Sequence, residues 1–160
     1  MPERCEGCGA EVEAMGGPIH RYMTSAPACW ARYGELLGAL SIEPALQMAR
    51  RMSVDAYAAQ HPGTPNPQAI QSVAVHLLNL HDYLVRGRPV GIPRCAGHKG
   101  AFEWLPPPSF AATHTVFDMP VEASGEAITR AARTWAESVW GAWSGHHAQV
   151  AAWYAKYATS

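Results

Sequence analysis

The amino-acid sequence predicts a mainly α protein: a compact bundle of about four helices, an irregular N-terminal zinc-knuckle lobe and a proline-rich wrapping loop. Three observations carry this reading. Apolar residues recur at steps of three and four in four separate stretches, which is the period of an amphipathic helix. Cys5 and Cys8 stand two residues apart, the spacing of half a metal knuckle. From residue 87 to 123, the run GRPVGIP and the triple proline at 106–108 forbid long regular structure.

Residues 1–24 are rich in Gly, Glu and Pro with no apolar period, and read as an irregular metal-binding lobe. Residues 25–86 divide into three helices. The first takes Ser25 as N-cap with Pro27 just inside it, and runs through Trp30, Tyr33 and Leu37 to about Leu40. The second begins after Ser41 with Pro44 in its first turn. Its stripe is Ala45, Met48, Met52, Asp55 and Ala59, so an aspartate lands on the inward face. It ends before His61-Pro62-Gly63, because proline and glycine do not continue a helix.

Asn66 caps the third helix and Pro67 opens it. Ile70, Val73, Leu77, Leu80 and Leu84 form its apolar face, and Gly87 is its stop. Residues 87–123 read as loop, with a helical turn around Lys99 to Trp104 and a short strand around Thr113 to Phe117. Residues 124–157 read as one long helix. Its stripe of Ile128, Ala132, Trp135, Val139, Trp143, Val150, Trp153 and Tyr157 carries three of the chain's six tryptophans, and Trp140 lies beside it. A surface so aromatic needs other elements packed on it, which makes this helix the expected organiser of a single domain.

At 160 residues, 48% hydrophobic and 16% charged, the chain can bury a core and does not read as disordered. A formal net charge of −1 gives no electrostatic reason to expect nucleic acid or an anionic membrane as partner. There is no secretory h-region and no apolar run of bilayer length, so the expected location is cytoplasmic. A small molecule or another protein stays open as partner, and the oligomeric state is not set by the sequence.

Eight histidines and four cysteines point to metal chemistry. In Cys5-Glu6-Gly7-Cys8-Gly9 both thiolates can reach one tetrahedral ion, and the glycines allow the tight turn around it. Two completions compete. Cys29 with His20 gives a Cys3His set through a short loop; Cys95 with His98 gives a C-x-x-H half-knuckle in the proline-rich stretch. The shorter loop demands less ordering, which favours Cys5, Cys8, Cys29 and His20 as the zinc ligands. The opposing reading of Cys29 is a small core residue beside Trp30.

A second candidate cluster is His61, His76, His146 and His147, with Asp55 as the candidate catalytic carboxylate. His76 lies roughly 15 Å along its helix from Asn66, too far for all of them to share one ion with His61. Adjacent histidines on a helix point about 100° apart, so one of His146 and His147 would ligate and the other would orient or meet solvent. His81 and His114 sit in less telling contexts, and Tyr22 and Tyr57 offer phenols to a pocket. Ser72 near His76 does not make a triad by sequence. No P-loop, dinucleotide fingerprint, nucleophile elbow or HExxH is present.

The phrases CEGCGA, HRYMTSAPACWARYGELL, VDAYAAQHPG, IQSVAVHLL, FEWLPPP and WAESVWGAWSGHHAQVAAW together resemble an uncharacterised bacterial protein family of unknown function. The resemblance spans nearly the whole chain but implies no activity. It implies that Cys5, Cys8, His20, Cys29, Asp55, His61, Gln71, His76, His146 and His147 lie within family-like phrases, while Cys95 and His98 fall outside them. Alanine precedes Cys29 where glycine is expected.

Two functional expectations follow. In the first, a zinc-binding small helical protein of unknown activity uses its metal mainly as structure, so that binding energy is folding energy. In the second, a zinc-dependent enzyme of hydrolase or transferase type holds an open metal site near His76, His146 and His147, with Asp55 moving protons. Ligand count separates them: four protein ligands are structural, three plus water catalytic.

Overall fold

The structure, a computed structural model, describes residues 1–88 and 99–158. Their buried apolar side chains form one contiguous core. The elements run β1 (Pro2–Arg4), β2 (Glu11–Glu13), α1 (Pro27–Leu40), α2 (Gln47–Gln60), α3 (Pro67–Leu84), α4 (Gly125–Ala142) and α5 (His147–Trp153). The protein is mainly helical, with a cysteine cluster near its N-terminus.

The lobe expected to be irregular is a hairpin. Strands β1 and β2 pair antiparallel, Pro2 opposite Glu13 and Arg4 opposite Glu11, and the Cys5–Gly9 knuckle is their connection. Gly9 takes φ 78° to close it, a backbone region open to glycine at little cost. The start of α1 also differs. Ala26, not Ser25, is the N-cap, with Pro27 in the first turn. The Ala26 amide is already committed to the Cys5 sulfur at 3.4 Å, so the helix begins one residue later than the Ser-x-Pro pattern suggests.

A 3₁₀ turn at Pro44–Leu46 precedes α2 and resets its phase. The buried stripe is therefore Ala49, Met52, Ala56 and Ala59, and Met48 lies exposed. The second half of α2, from Asp55 to Gln60, is buried on every side. It packs chiefly on α4 and α3. The central element is thus α2, with the C-terminal helices wrapped against it. Helix α3 starts as expected, the Asn66 side chain accepting from the Ala69 amide at 2.9 Å. Beyond it Gly87 adopts φ 67°, the usual glycine stop.

The expected single helix over 124–157 is broken. A 3₁₀ turn at Ser144–His146 separates α4 from α5, and a π-turn, Tyr154–Ala158, ends the chain's described part. Ser144 and Gly145 are poor helix formers at the break. The apolar stripe survives it: Ile128, Ala132, Trp135, Val139, Trp143, Val150 and Trp153 are all buried. Two of its indoles dock on the end of α2, Trp135 Nε1 donating to Gln60 Oε1 at 3.1 Å and Trp143 Nε1 to the Ala59 carbonyl at 3.0 Å.

Gln60, fully buried, also donates to Thr113 Oγ1 at 2.7 Å and to the His114 carbonyl at 2.6 Å. That fastens the loop to α2 without a strand. Val116–Asp118 is a 3₁₀ turn with a Thr115–Asp118 capping box, not the strand expected there. Lys99 to Trp104 forms no helix beyond a turn at its first two residues. No helix among the described residues is long and apolar enough to cross a membrane.

His81 on α3 packs against the Tyr154 ring at 4.6 Å and edge-on to Trp140 at 6.0 Å, and its buried Nδ1 has no hydrogen-bond partner among the described residues. Burial first, then the Arg86 charge, holds its pKa below the ordinary 6.5. The unfolded chain therefore takes up this proton at a higher pH than the fold does. Stability is lost as pH falls from about 6.5 through the lower folded value. Urea unfolding between pH 7 and pH 5 should show a steeper loss for the wild type than for His81→Phe, since other titrating groups are common to both.

Candidate metal centre

Four side chains from three parts of the chain converge at the base of the hairpin. Cys5 and Cys8 come from the knuckle, Cys29 from the first turn of α1, and His61 from the residue that ends α2. Their ligand atoms all lie within 4.8 Å of one another, and each residue is no more than 2% exposed. Cys8 Sγ stands 3.9 Å from Cys29 Sγ, and Cys29 Sγ stands 3.5 Å from His61 Nε2. A tetrahedral ion bonded to sulfur at about 2.3 Å and to nitrogen at about 2.0–2.1 Å needs edges of about 3.8 Å (S···S) and about 3.6 Å (S···N). The cluster fits such an ion, and these residues can hold one.

The surroundings orient each ligand. The Cys5 amide donates to the Ala10 carbonyl at 2.8 Å and the Gly9 amide to the Cys5 carbonyl at 2.9 Å, closing the knuckle turn. The Ala26 amide donates to Cys5 Sγ. Tyr57, one turn before His61, does three things. Its ring stacks on the imidazole at 3.9 Å and 22°, and on Tyr33 of α1 at 3.9 Å and 5°. Its hydroxyl lies 3.5 Å from Cys29 Sγ. Its carbonyl accepts from His61 Nδ1–H at 2.7 Å, which fixes the tautomer and turns the Nε2 lone pair towards the thiols.

Packing three thiols together makes their ionisation interdependent. Hydrogen bonds from Cys29 and then Cys8 drive Cys5 far below the ordinary thiol range. Hydrogen bonds to Cys5 and Cys8, then burial, push Cys29 far up. For Cys8 the bond with Cys29 lowers the pKa, but the bond with Cys5 and burial outweigh it and push it up to about 11. Three thiols buried side by side oppose one another's ionisation unless a positive charge stands among them. A divalent ion removes that conflict, since a coordinated thiol is deprotonated outright. Burial first, then the Cys29 charge, raises Tyr57 well above its usual range, so the phenol remains a donor.

The other predicted ligands are placed elsewhere. His20, expected as the fourth ligand, accepts the Tyr22 amide on Nδ1 at 3.0 Å and sits edge-on to Trp30 at 5.3 Å. His61, expected in the second cluster, takes that fourth position because the Tyr57 ring and carbonyl aim it. The rest of the second cluster does not assemble. His76 Nδ1–H donates to Asp55 Oδ1 at 2.7 Å, His146 Nε2–H to the Pro106 carbonyl at 2.9 Å, and His147 Nε2–H to the Trp140 carbonyl at 2.8 Å. His147 also stacks on Trp140 at 3.9 Å.

Asp55, the candidate catalytic carboxylate, is buried on α2. It takes Asn79 on the same oxygen as His76, at 3.0 Å, and the Tyr83 hydroxyl on the other at 2.7 Å. Among the described residues, Cys5, Cys8, Cys29 and His61 are the one group of three or more metal-capable side chains that converges. Cys95 and His98 lie outside the described residues.

Two contributors escape a reading of single residues. Tyr57 acts through the i,i+4 step to His61, and Tyr33 stands at the same step from Cys29. An aromatic residue one turn from each ligand, on consecutive helices, is a signal the sequence does contain. Gly7 is the other: a Cβ there would lie 2.3 Å from His61 Cδ2 and 2.4 Å from the Thr24 carbonyl oxygen.

Set beside known proteins, the chain matches a family model over residues 3–144, described as a family of unknown function (DUF5946). That span includes all four clustered residues. No curated protein and no solved structure matches the chain.

Two substitutions separate geometry from bulk stability. Gly7→Ala forces the imidazole or the Thr24 backbone to move, and should cost about 1–3 kcal/mol and abolish stoichiometric metal uptake. Tyr57→Phe keeps both ring stacks and removes only the hydroxyl at Cys29. Competition with a chromophoric chelator should show metal affinity lowered about 10-fold or more, while circular dichroism remains that of the wild type.

Proposed function

The chain belongs to the family of unknown function DUF5946, and from its Cys3His cluster we propose a zinc-binding helical protein whose metal is structural. The observation that carries this reading is closure. Four protein ligands, none more than 2% exposed, complete a tetrahedral shell and leave no position for water or substrate. Three thiolates and one imidazole form a soft, tetrahedral donor set, which favours zinc over the harder divalent ions. Unbridged thiols in such a set suit a reducing compartment, in keeping with a cytoplasmic protein.

The metal's task is to tie the hairpin to the bundle. Two three-residue strands have little stability of their own, so the ligands on α1 and at the end of α2 give the lobe its place. An enzyme with an open site at His76, His146 and His147 gains no support, because each of those imidazoles donates to a different protein acceptor.

Elemental analysis of the purified protein should give about one zinc per chain. Cys29→Ser and His61→Ala should each bring that towards zero and lower the Tm by about 10 °C or more. His20→Ala and Cys95→Ser should keep both. Cobalt substitution should give the intense visible absorption of tetrahedral thiolate coordination. Full zinc content in the Cys29 and His61 variants would refute the assignment.

A further inference from the structure

Beside the metal cluster, on the far side of His61, lies a cavity of about 180 Å³. It is bounded by the segment 20–23, the end of α2 and the first turns of α3. Apolar cavities of about 150 Å³ hold a benzene molecule, so this one has room for a single ring with one substituent. Two features keep the space open. Its α3 wall carries Ala69, whose side chain is too short to fill it. The chain just after its lining residue Pro62 cannot draw closer to the segment 20–23: Gly63, at φ 76°, already sits where a Cβ would lie 2.1 Å from the Tyr22 carbonyl oxygen.

The lining is polar but carries no formal charge. His20, Tyr22, Gln68 and Ser72 supply its hydrogen-bonding side chains, and among the described residues no Asp, Glu, Lys or Arg lines it. The Tyr22 amide donates to His20 Nδ1, so Nδ1 is the ring's acceptor and Nε2 its N–H donor. Trp30 holds the ring edge-on. Among the described residues, Gln68 and Ser72 have no side-chain hydrogen bond to the protein. An imidazole, hydroxyl groups and a carboxamide thus line a ring-sized space.

We propose that this cavity is a binding site for a small uncharged ring compound carrying a carbonyl-type acceptor, which His20 Nε2–H and the Ser72 hydroxyl recognise. An anion is disfavoured because among the described residues no Lys or Arg lines the cavity to replace its lost hydration. A plain hydrocarbon is disfavoured because it would leave the polar groups desolvated and unpaired. The inference rests on the cavity and its lining alone, and holds whether or not the thiols carry a metal.

The test uses benzamide, its charged isostere benzoate, and toluene as probes, with binding read by chemical-shift perturbation in the full-length protein. Benzamide should saturate with a Kd on the order of 1 mM and perturb His20, Tyr22 and Ser72. His20→Leu should weaken it at least about tenfold, and Ser72→Leu, which fills the space, should abolish it. Metal content and Tm should stay unchanged in both, so that loss of binding is not loss of fold. Should Ser72→Leu destabilise the protein, Ala69→Val provides a smaller filling and should weaken benzamide in the same direction. Benzoate or toluene binding as tightly as benzamide would overturn the assigned ligand class. Absence of saturable benzamide binding, or binding unaltered in the filled variant, would overturn the site.

Discussion

The stack of Tyr33, Tyr57 and His61 is the contact on which the candidate centre depends. Tyr57 is fully buried at the heart of α2 and touches the ligands on both sides of it: the Cys29 sulfur through its hydroxyl, the His61 ring through its own ring and carbonyl. Since Tyr33 and Cys29 belong to α1, the same stack sets the distance between the two helices. Aromatic pairs in such geometry are worth about 0.5–1.5 kcal/mol beyond their burial. Here that energy fixes a position as well as adding stability. The knuckle needs only to close on a half-site already held by the bundle.

The bundle is in turn built to keep α2 still. Trp135 of α4 and Trp143, just past its end, donate to the last residues of α2, and Gln60 returns hydrogen bonds to the loop at Thr113 and His114. On the opposite side, Asp55 gathers donors from three residues of α3. A carboxylate and a carboxamide buried in one helix would each be costly without partners. Each is supplied from a neighbouring element, so both bind α2 to its surroundings.

How much of this is legible in the sequence varies with the range of the interaction. Local rules find the helices, the Asn66 cap, the Gly87 stop and three of the four clustered residues. The knuckle spacing identifies Cys5 and Cys8, and loop length favours Cys29 over Cys95. The fourth clustered residue is His61 where the sequence favours His20, for a physical reason: His20 is nearer in sequence, whereas convergence in the fold is set by orientation, which the Tyr57 stack gives to His61. The long C-terminal helix fails at Ser144-Gly145, where a 3₁₀ turn preserves the apolar stripe while breaking the rod, so periodicity alone does not register the break. The second histidine cluster fails because each imidazole finds a backbone or carboxylate acceptor close to its own element, and pattern matching does not see those acceptors.

The order of the ligands along the chain has a consequence for synthesis. Cys5 and Cys8 leave the ribosome first, and His61 follows 56 residues behind Cys5 (61 − 5). At translation rates of about 5–20 residues per second, that interval is roughly 3–11 s. During it the two thiols are exposed on a nascent hairpin that has no half-site to close upon. A mismatched metal or an oxidant arriving then meets a bidentate thiol pair, whereas after α1 and α2 have docked it meets a sealed cluster. The vulnerable moment of this cluster is therefore its birth, and His61, which completes the stack, is the last of its four side chains to be made.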